Sequence, residues 1–252
     1  MTAPRLPLLP LAAGVVSALV LLPAMVEGAA DDDWPDAFDE PDLMELTSRV
    51  NDGELAFLDP AAAEGAHVHM NHVVVTAGSL DDGWVSLEQC HEHLDAVPAA
   101  QILFRAGGIR DLTITASDDI GRAWVDGHSV QLENVGTHAR LCVRGKSRAL
   151  IQLGDGHYRL RNGPYLRRFL DGFYPMRVSL SIDYPAERLR LVGQSPPGQP
   201  GFDVSEQEGR LDIDATFEGR LVTCFDFCDR TRADCDEAMV VACAAGGGPD
   251  AD

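Results

Sequence analysis

Between Met176 and Tyr184 every even-numbered residue is apolar and every odd-numbered one is polar. A period of two suits an extended strand with one buried and one wet face, because successive side chains leave a strand on opposite sides. The pattern recurs where Leu211, Ile213, Ala215 and Phe217 alternate with Asp212, Asp214, Thr216 and Glu218. It recurs again where Val130 and Leu132 alternate with Gln131 and Glu133. Asn51-Asp52-Gly53, Asp81-Asp82-Gly83, Asp126-Gly127 and Gly154-Asp155-Gly156 supply residues that tolerate positive φ, as tight hairpins need. This spacing predicts a mainly β fold, an antiparallel β-sandwich or flattened barrel of roughly ten strands. Asn162-Gly163-Pro164, followed by Tyr165 with Phe169 and Leu166 with Leu170 at i, i+4, predicts one short helix near 164–172.

The two ends read differently from this body. Arg5 precedes an uncharged run, Leu6 to Val26, and Gly28-Ala29-Ala30 supplies small residues for a cut after Ala30. Residues 1–30 therefore read as a signal peptide that places the chain in the periplasm or outside the cell. An uncleaved anchor is the alternative, although Pro7, Pro10 and Pro23 interrupt the run. The net charge of −20 belongs to the ends. Residues 31–60 hold eleven acids against one base and residues 201–252 thirteen against four, while 61–200 hold fifteen against fourteen. Such a surface repels phosphate backbones, so nucleic acid is excluded as a partner. The organisation expected is a signal peptide (1–30), an acidic and partly disordered segment (31–60), a β-sandwich (61–222), and a Cys-rich lobe with a flexible tail (223–252). No stable membrane insertion is expected once the leader is removed.

Cys90, Cys142, Cys224, Cys228, Cys235 and Cys243 are even in number, and export puts them where disulfides persist. Sequence cannot choose among the fifteen pairings of six cysteines. Local pairing of the last four would leave Cys90 and Cys142 for each other. The C-x3-C-x6-C-x7-C spacing lacks the paired knuckles of a zinc site.

Five of the eight histidines fall between residues 67 and 93. Two H-x-H units, His67/His69 and His91/His93, flank what reads as a hairpin turning at Asp81-Asp82-Gly83. In that register Asn71 faces His93, Val73 faces His91, and His69 lies diagonal to His93. All four imidazoles then share one strand face. Neutral imidazole is a metal ligand suited to copper or zinc. The competing expectation is that these histidines are only solvated or hydrogen-bonded. His128, in phase with Val130 and Leu132, reads as a core histidine.

Residues 140–190 carry eleven bases and four acids, interleaved with aromatics. Arg159, Arg161, Arg167 and Arg168 could line a groove for an anionic glycan or lipid headgroup. The competing expectation is a surface that neutralises the acidic ends. The chain has no H-E-x-x-H, G-x-S-x-G or P-loop motif and calls for no certain cofactor. Three functions remain as expectations. The first is an exported envelope module binding an unknown ligand, such as a glycan or another envelope component. The second is a periplasmic copper- or zinc-binding protein. The third is a hydrolase whose site leaves no motif.

Overall fold

The computed structural model of the protein describes residues 53–169, 172–232, 235 and 243. The chain divides into Met1–Met44 and Glu45–Asp252, and every described residue belongs to the second unit. The expected leader, its cut after Ala30, most of the acidic segment and the tail beyond Cys243 lie outside the described residues. Among the described residues no helix is long and apolar enough to cross a membrane.

In chain order the elements are β1 (Ala56–Phe57), a 3-10 turn (Pro60–Ala63), β2 (Val68–Val74), α1 (Ser79–Asp82) and β3 (Trp84–Glu92). Then come β4 (Ala99–Leu103), β5 (Ile109–Asp126), β6 (Ser129–Arg148), β7 (Leu150–Gly154) and β8 (His157–Tyr165). The two-residue strands β9 (Arg168–Phe169) and β10 (Gly172–Phe173) pair with each other. The last elements are β11 (Met176–Asp183), β12 (Leu189–Ser195), β13 (Phe202–Gln207), β14 (Arg210–Glu218) and β15 (Leu221–Asp229).

Two sheets face each other. The nine-stranded sheet runs β1-β14-β11-β2-β3-β6-β4, with β13 also on β14 and β5 on β6. The four-stranded sheet runs β12-β15-β8-β7. The alternation read in β11 and β14 has its expected consequence. Met176, Val178, Leu180 and Ile182 are buried beside Leu211, Ile213, Ala215 and Phe217. Leu160, Phe225 and Phe227 of the smaller sheet join the same apolar cluster, so the core lies between two layers. The pairing is antiparallel except between β11 and β2, which run parallel. These strands are far apart in sequence, so no hairpin forces them antiparallel.

The β5–β6 ribbon carries a second apolar cluster. On β6 the buried positions are Val130 and Leu132, then Val135, Ala139, Leu141 and Val143. The change from even to odd occurs beside Asn134, whose φ of 53° marks the irregularity. His128, expected in the core, is exposed at the tip of this ribbon.

Three expectations are corrected. No helix forms near 164–172 among the described residues, because β8 stays paired to β15 as far as Tyr165, opposite Leu221. Gly163 makes this possible with φ +90°: a Cβ there would sit 2.6 Å from the Leu221 carbonyl. A helix this short has little stability of its own, so the ladder wins. The turn at Asp81-Asp82-Gly83 is not a tight hairpin either. Residues 79–82 form α1, and Gly83 at φ +76° closes it. The boundary expected at residue 223 falls inside β15, an inner strand of the four-stranded sheet, and β1 and Pro60, the first residue of the 3-10 turn, lie within the 31–60 segment expected to be partly disordered.

All six cysteines are paired. Cys90–Cys142 joins directly opposed residues of β3 and β6. Cys224–Cys243 and Cys228–Cys235 staple the chain after β15 back onto that strand.

Candidate functional site

The inner faces of β2 and β3 change character along their length. Toward α1 they carry Val73 opposite Leu87, both buried in the shared core. The next rung places Asn71 opposite Gln89, and the one after places His69 opposite His91. The neighbours of this polar square are apolar. Leu180 and Val178 lie beside Asn71 and His69 on β11, and Val143 and Leu141 lie beside Gln89 and His91 on β6. Asn71, Gln89 and His91 are themselves buried. Four hydrogen-bonding side chains are thus set into an otherwise apolar sheet face, where unpaired polar groups are costly.

Their partners are one another, His67 and Tyr165. The Gln89 amide donates to His91 Nε2 at 2.6 Å, so His91 carries its proton on Nδ1. That proton faces His67 Nε2 at 2.9 Å. His69 Nε2 donates to Asn71 Oδ1 at 2.9 Å, and Asn71 Nδ2 donates to the Tyr165 hydroxyl at 2.9 Å. The His69 ring packs 4.4 Å from His91 and edge-on to Tyr165 at 5.0 Å, centroid to centroid. Tyr165 comes from β8, so the cluster ties the two sheets together.

Burial keeps the three imidazoles neutral. It lowers His67 to about 4, with a further push from the Arg167 charge, and lowers His69 to about 3, with His67 adding to the effect. His91 falls well below its ordinary value for the same reason, desolvation first and the facing imidazoles second. Burial pushes the Tyr165 phenol up. The site is a set of neutral donors and lone pairs turned toward one another.

Three of the four expected metal ligands, His67, His69 and His91, are brought together. The expected register is corrected, since Asn71 faces Gln89 and Val73 faces Leu87. His93 is not in the ring stack. It lies just past β3 at φ 54°, exposed, and acts on His67 as a nearby charge. His72 points to the other face and meets Asp183 at 2.7 Å. Among the described residues no group of three or more His, Cys, Asp or Glu is arranged to hold a metal ion. Asn71, Gln89 and Tyr165 were not anticipated. The first two were visible as polar residues in phase with Val73 and Leu87.

The arginines expected to share a groove are engaged separately. Arg159 is buried in a two-pronged ion pair with Asp226 at 2.7 and 2.8 Å. Arg167 binds Asp95 at 3.0 and 2.5 Å and the Pro175 carbonyl. Arg168 lies over the Phe173 ring. Arg161 is half-buried, and burial, then the charge of Arg105, lowers its pKa.

The chain matches no protein-family model and no curated protein. Among solved structures, a mutant M1 zinc metallopeptidase from Deinococcus radiodurans is 12% identical, with a TM-score of 0.35 over 70% of this chain and 43% of that one. The same enzyme bound to a Tyr-Ser-Ala substrate gives the same values. A two-domain M1 zinc metallopeptidase bound to L-tryptophan gives 12% and 0.34 over 71% and 44%. This chain spans less than half the length of these solved chains, and a likeness at this level defines neither a family nor an activity.

Proposed function

We propose that the protein is an exported module of the cell envelope that binds a ligand rather than transforming it. The observation that carries this reading is the neutral imidazole–amide cluster, whose hydrogen-bond partners are amides, imidazoles and a phenol. Such partners recognise or hold a ligand, whereas activating a nucleophile needs a hydroxyl or thiol hydrogen-bonded to an imidazole, and the Tyr165 hydroxyl is bonded to Asn71 instead. Three disulfides taking up all six cysteines support an oxidising compartment. The test is NMR on the oxidised chain, following the Gln89, Asn71 and imidazole N–H signals against glycans, soluble envelope fragments and metal ions. Saturable shifts of these signals are expected. Silence across the panel, with turnover of a model ester or peptide that His91→Gln abolishes, would replace this reading by the hydrolase.

One observation favours a second reading, a copper site. His67 Nε2 and His91 Nδ1 stand 2.9 Å apart. Two nitrogens bound about 2.0–2.1 Å from one ion at right angles are separated by about 2.9 Å. Right-angle ligation suits the tetragonal preference of copper(II) better than tetrahedral zinc. His91 would move its proton to Nε2, against Gln89, to free Nδ1. Elemental analysis of protein folded in the periplasm, with nitrogen hyperfine structure in its copper EPR spectrum, tests this. Loss of copper in His67→Ala and in His91→Ala is expected, and metal-free protein from copper-replete cells would discard it.

A further inference from the structure

The β2–β3 hairpin has a second polar end. Opposite the imidazoles, where α1 joins the strands, a cleft of about 390 Å³ is lined by Asp81, Asp82, Arg105, Arg148, Leu150 and Ile151 among others. That volume is at the lower end of the range for small-ligand sites, about 300–1,000 Å³. Its walls come from three parts of the chain, held by specific contacts. The Gly83 carbonyl accepts from Leu150 N at 3.2 Å, and a Cβ on Gly83 would lie 2.6 Å from the Leu150 carbonyl. The Gln152 amide donates to the Leu80 carbonyl. The Arg105 guanidinium donates to the Arg148 carbonyl at 3.1 Å.

The charges of this cleft are balanced, unlike those of the chain. Two carboxylates come from α1. Two guanidiniums come from the β4–β5 connection and the end of β6. Asp82 is aimed by the Trp84 N–H at 2.9 Å and has Arg110 3.9 Å away. Asp81, Arg105 and Arg148 are exposed to the cleft. Ile151 is an exposed apolar side chain, 44% accessible, on the same lining as both kinds of charge. A net anion would meet both Asp81 and Asp82. A net cation would meet the guanidiniums. A molecule carrying both charges avoids either repulsion and can engage both sets.

We propose that this cleft binds a small zwitterion, its ammonium on Asp81 and Asp82, its oxyanion on Arg105 and Arg148, and its methylene spacer against Leu150 and Ile151. The inference rests on the binding-module reading and gives that module a ligand class. Two sources share the chemistry: a soluble amino acid, and the ethanolamine-phosphate headgroup of a lipid.

The test titrates the full oxidised chain by calorimetry with ω-amino carboxylates from glycine to 6-aminohexanoate and with phosphoethanolamine. Co-sedimentation with phosphatidylethanolamine vesicles runs in parallel, with phosphatidylcholine vesicles as the control. At least one probe is expected to bind, and its N-acetyl derivative to bind tenfold or more weakly. Asp81→Asn and Arg148→Gln should each weaken binding at least tenfold with the melting temperature unchanged. Binding of the amino carboxylates assigns a soluble ligand. Binding of phosphoethanolamine and its vesicles assigns a headgroup. The proposal is overturned if no probe binds the folded chain, or if N-acetylation or both substitutions leave affinity intact. Signals of Trp84 and Gly83 report this cleft, while Gln89 and His91 report the imidazole cluster, so failure here leaves the broader reading to its own experiment.

Discussion

His67 Nε2 and His91 Nδ1 meet at 2.9 Å although 24 residues separate them in the chain. The contact exists because His69 pairs with His91 across the β2–β3 ladder and His67 stands just before β2. It belongs to a cluster of neutral rings, and the cost of charging those rings sets the behaviour of the fold in acid.

Histidine ordinarily titrates near 6.5, but His67 is held at about 4 and His69 at about 3 in the folded chain. Between those values the unfolded chain binds more protons than the folded one, so stability rises with pH. The stabilisation is fully present above about 6.5 and is lost as pH falls toward about 4. For His67 alone the gap corresponds to about 3 kcal/mol. Urea midpoints should hold level from pH 7.5 to about 6.5 and fall from there to pH 4.5, less steeply in His67→Gln. A midpoint that is flat or rises over that lower range would contradict buried neutral imidazoles.

Tyr165→Phe removes the hydroxyl that accepts from Asn71 while keeping the ring against His69. The Asn71 N–H is then left buried without that partner, at a cost of about 1–3 kcal/mol. Phe and Ala at position 165 separate the hydroxyl from the ring, and thermal unfolding reads both. Ala should cost more than Phe, since it also empties part of the inter-sheet core.

Asp226 and Arg159 are only 8% and 10% exposed, and their two-pronged pair places both charges in the interior. Asp226→Ala should destabilise by about 3–5 kcal/mol, because it takes the two-pronged carboxylate partner from a buried guanidinium. The double variant Arg159→Leu/Asp226→Leu should recover much of that loss. Equilibrium unfolding of the single and double variants measures the difference. Equal loss in both would show that packing, not charge, dominates there.

Cys90–Cys142 spans 52 residues and Cys228–Cys235 only 7. Chain entropy then makes the first worth about 4 kcal/mol and the second about 2.5 kcal/mol. Paired Cys→Ala variants, compared in denaturant, should keep that order.

Much of the architecture was legible from side-chain period alone. β11 and β14 alternate over eight or nine residues, and both bury the face that alternation assigns to the core. The imidazole cluster was half legible. The expected turn put the β2–β3 register four positions away from the one observed, and four is even, so parity survived and His67, His69 and His91 still share a face. His93 was lost because the strand ends before it. The helix near 164–172 was misread because its local pattern is genuine but weak, and the partner that overrides it, Leu221, is distant in the chain.

Alternation decided which side of its strand a residue occupies, because backbone geometry makes that a property of neighbours one and two positions apart. It could not supply the Tyr165 hydroxyl to Asn71, the Asp226 carboxylate to Arg159, or the Arg105 guanidinium to the Arg148 carbonyl. Those contacts depend on how one sheet lies over the other and where each connection lets its strands pair. Long-range packing determines both, and it leaves no periodic trace in the order of residues.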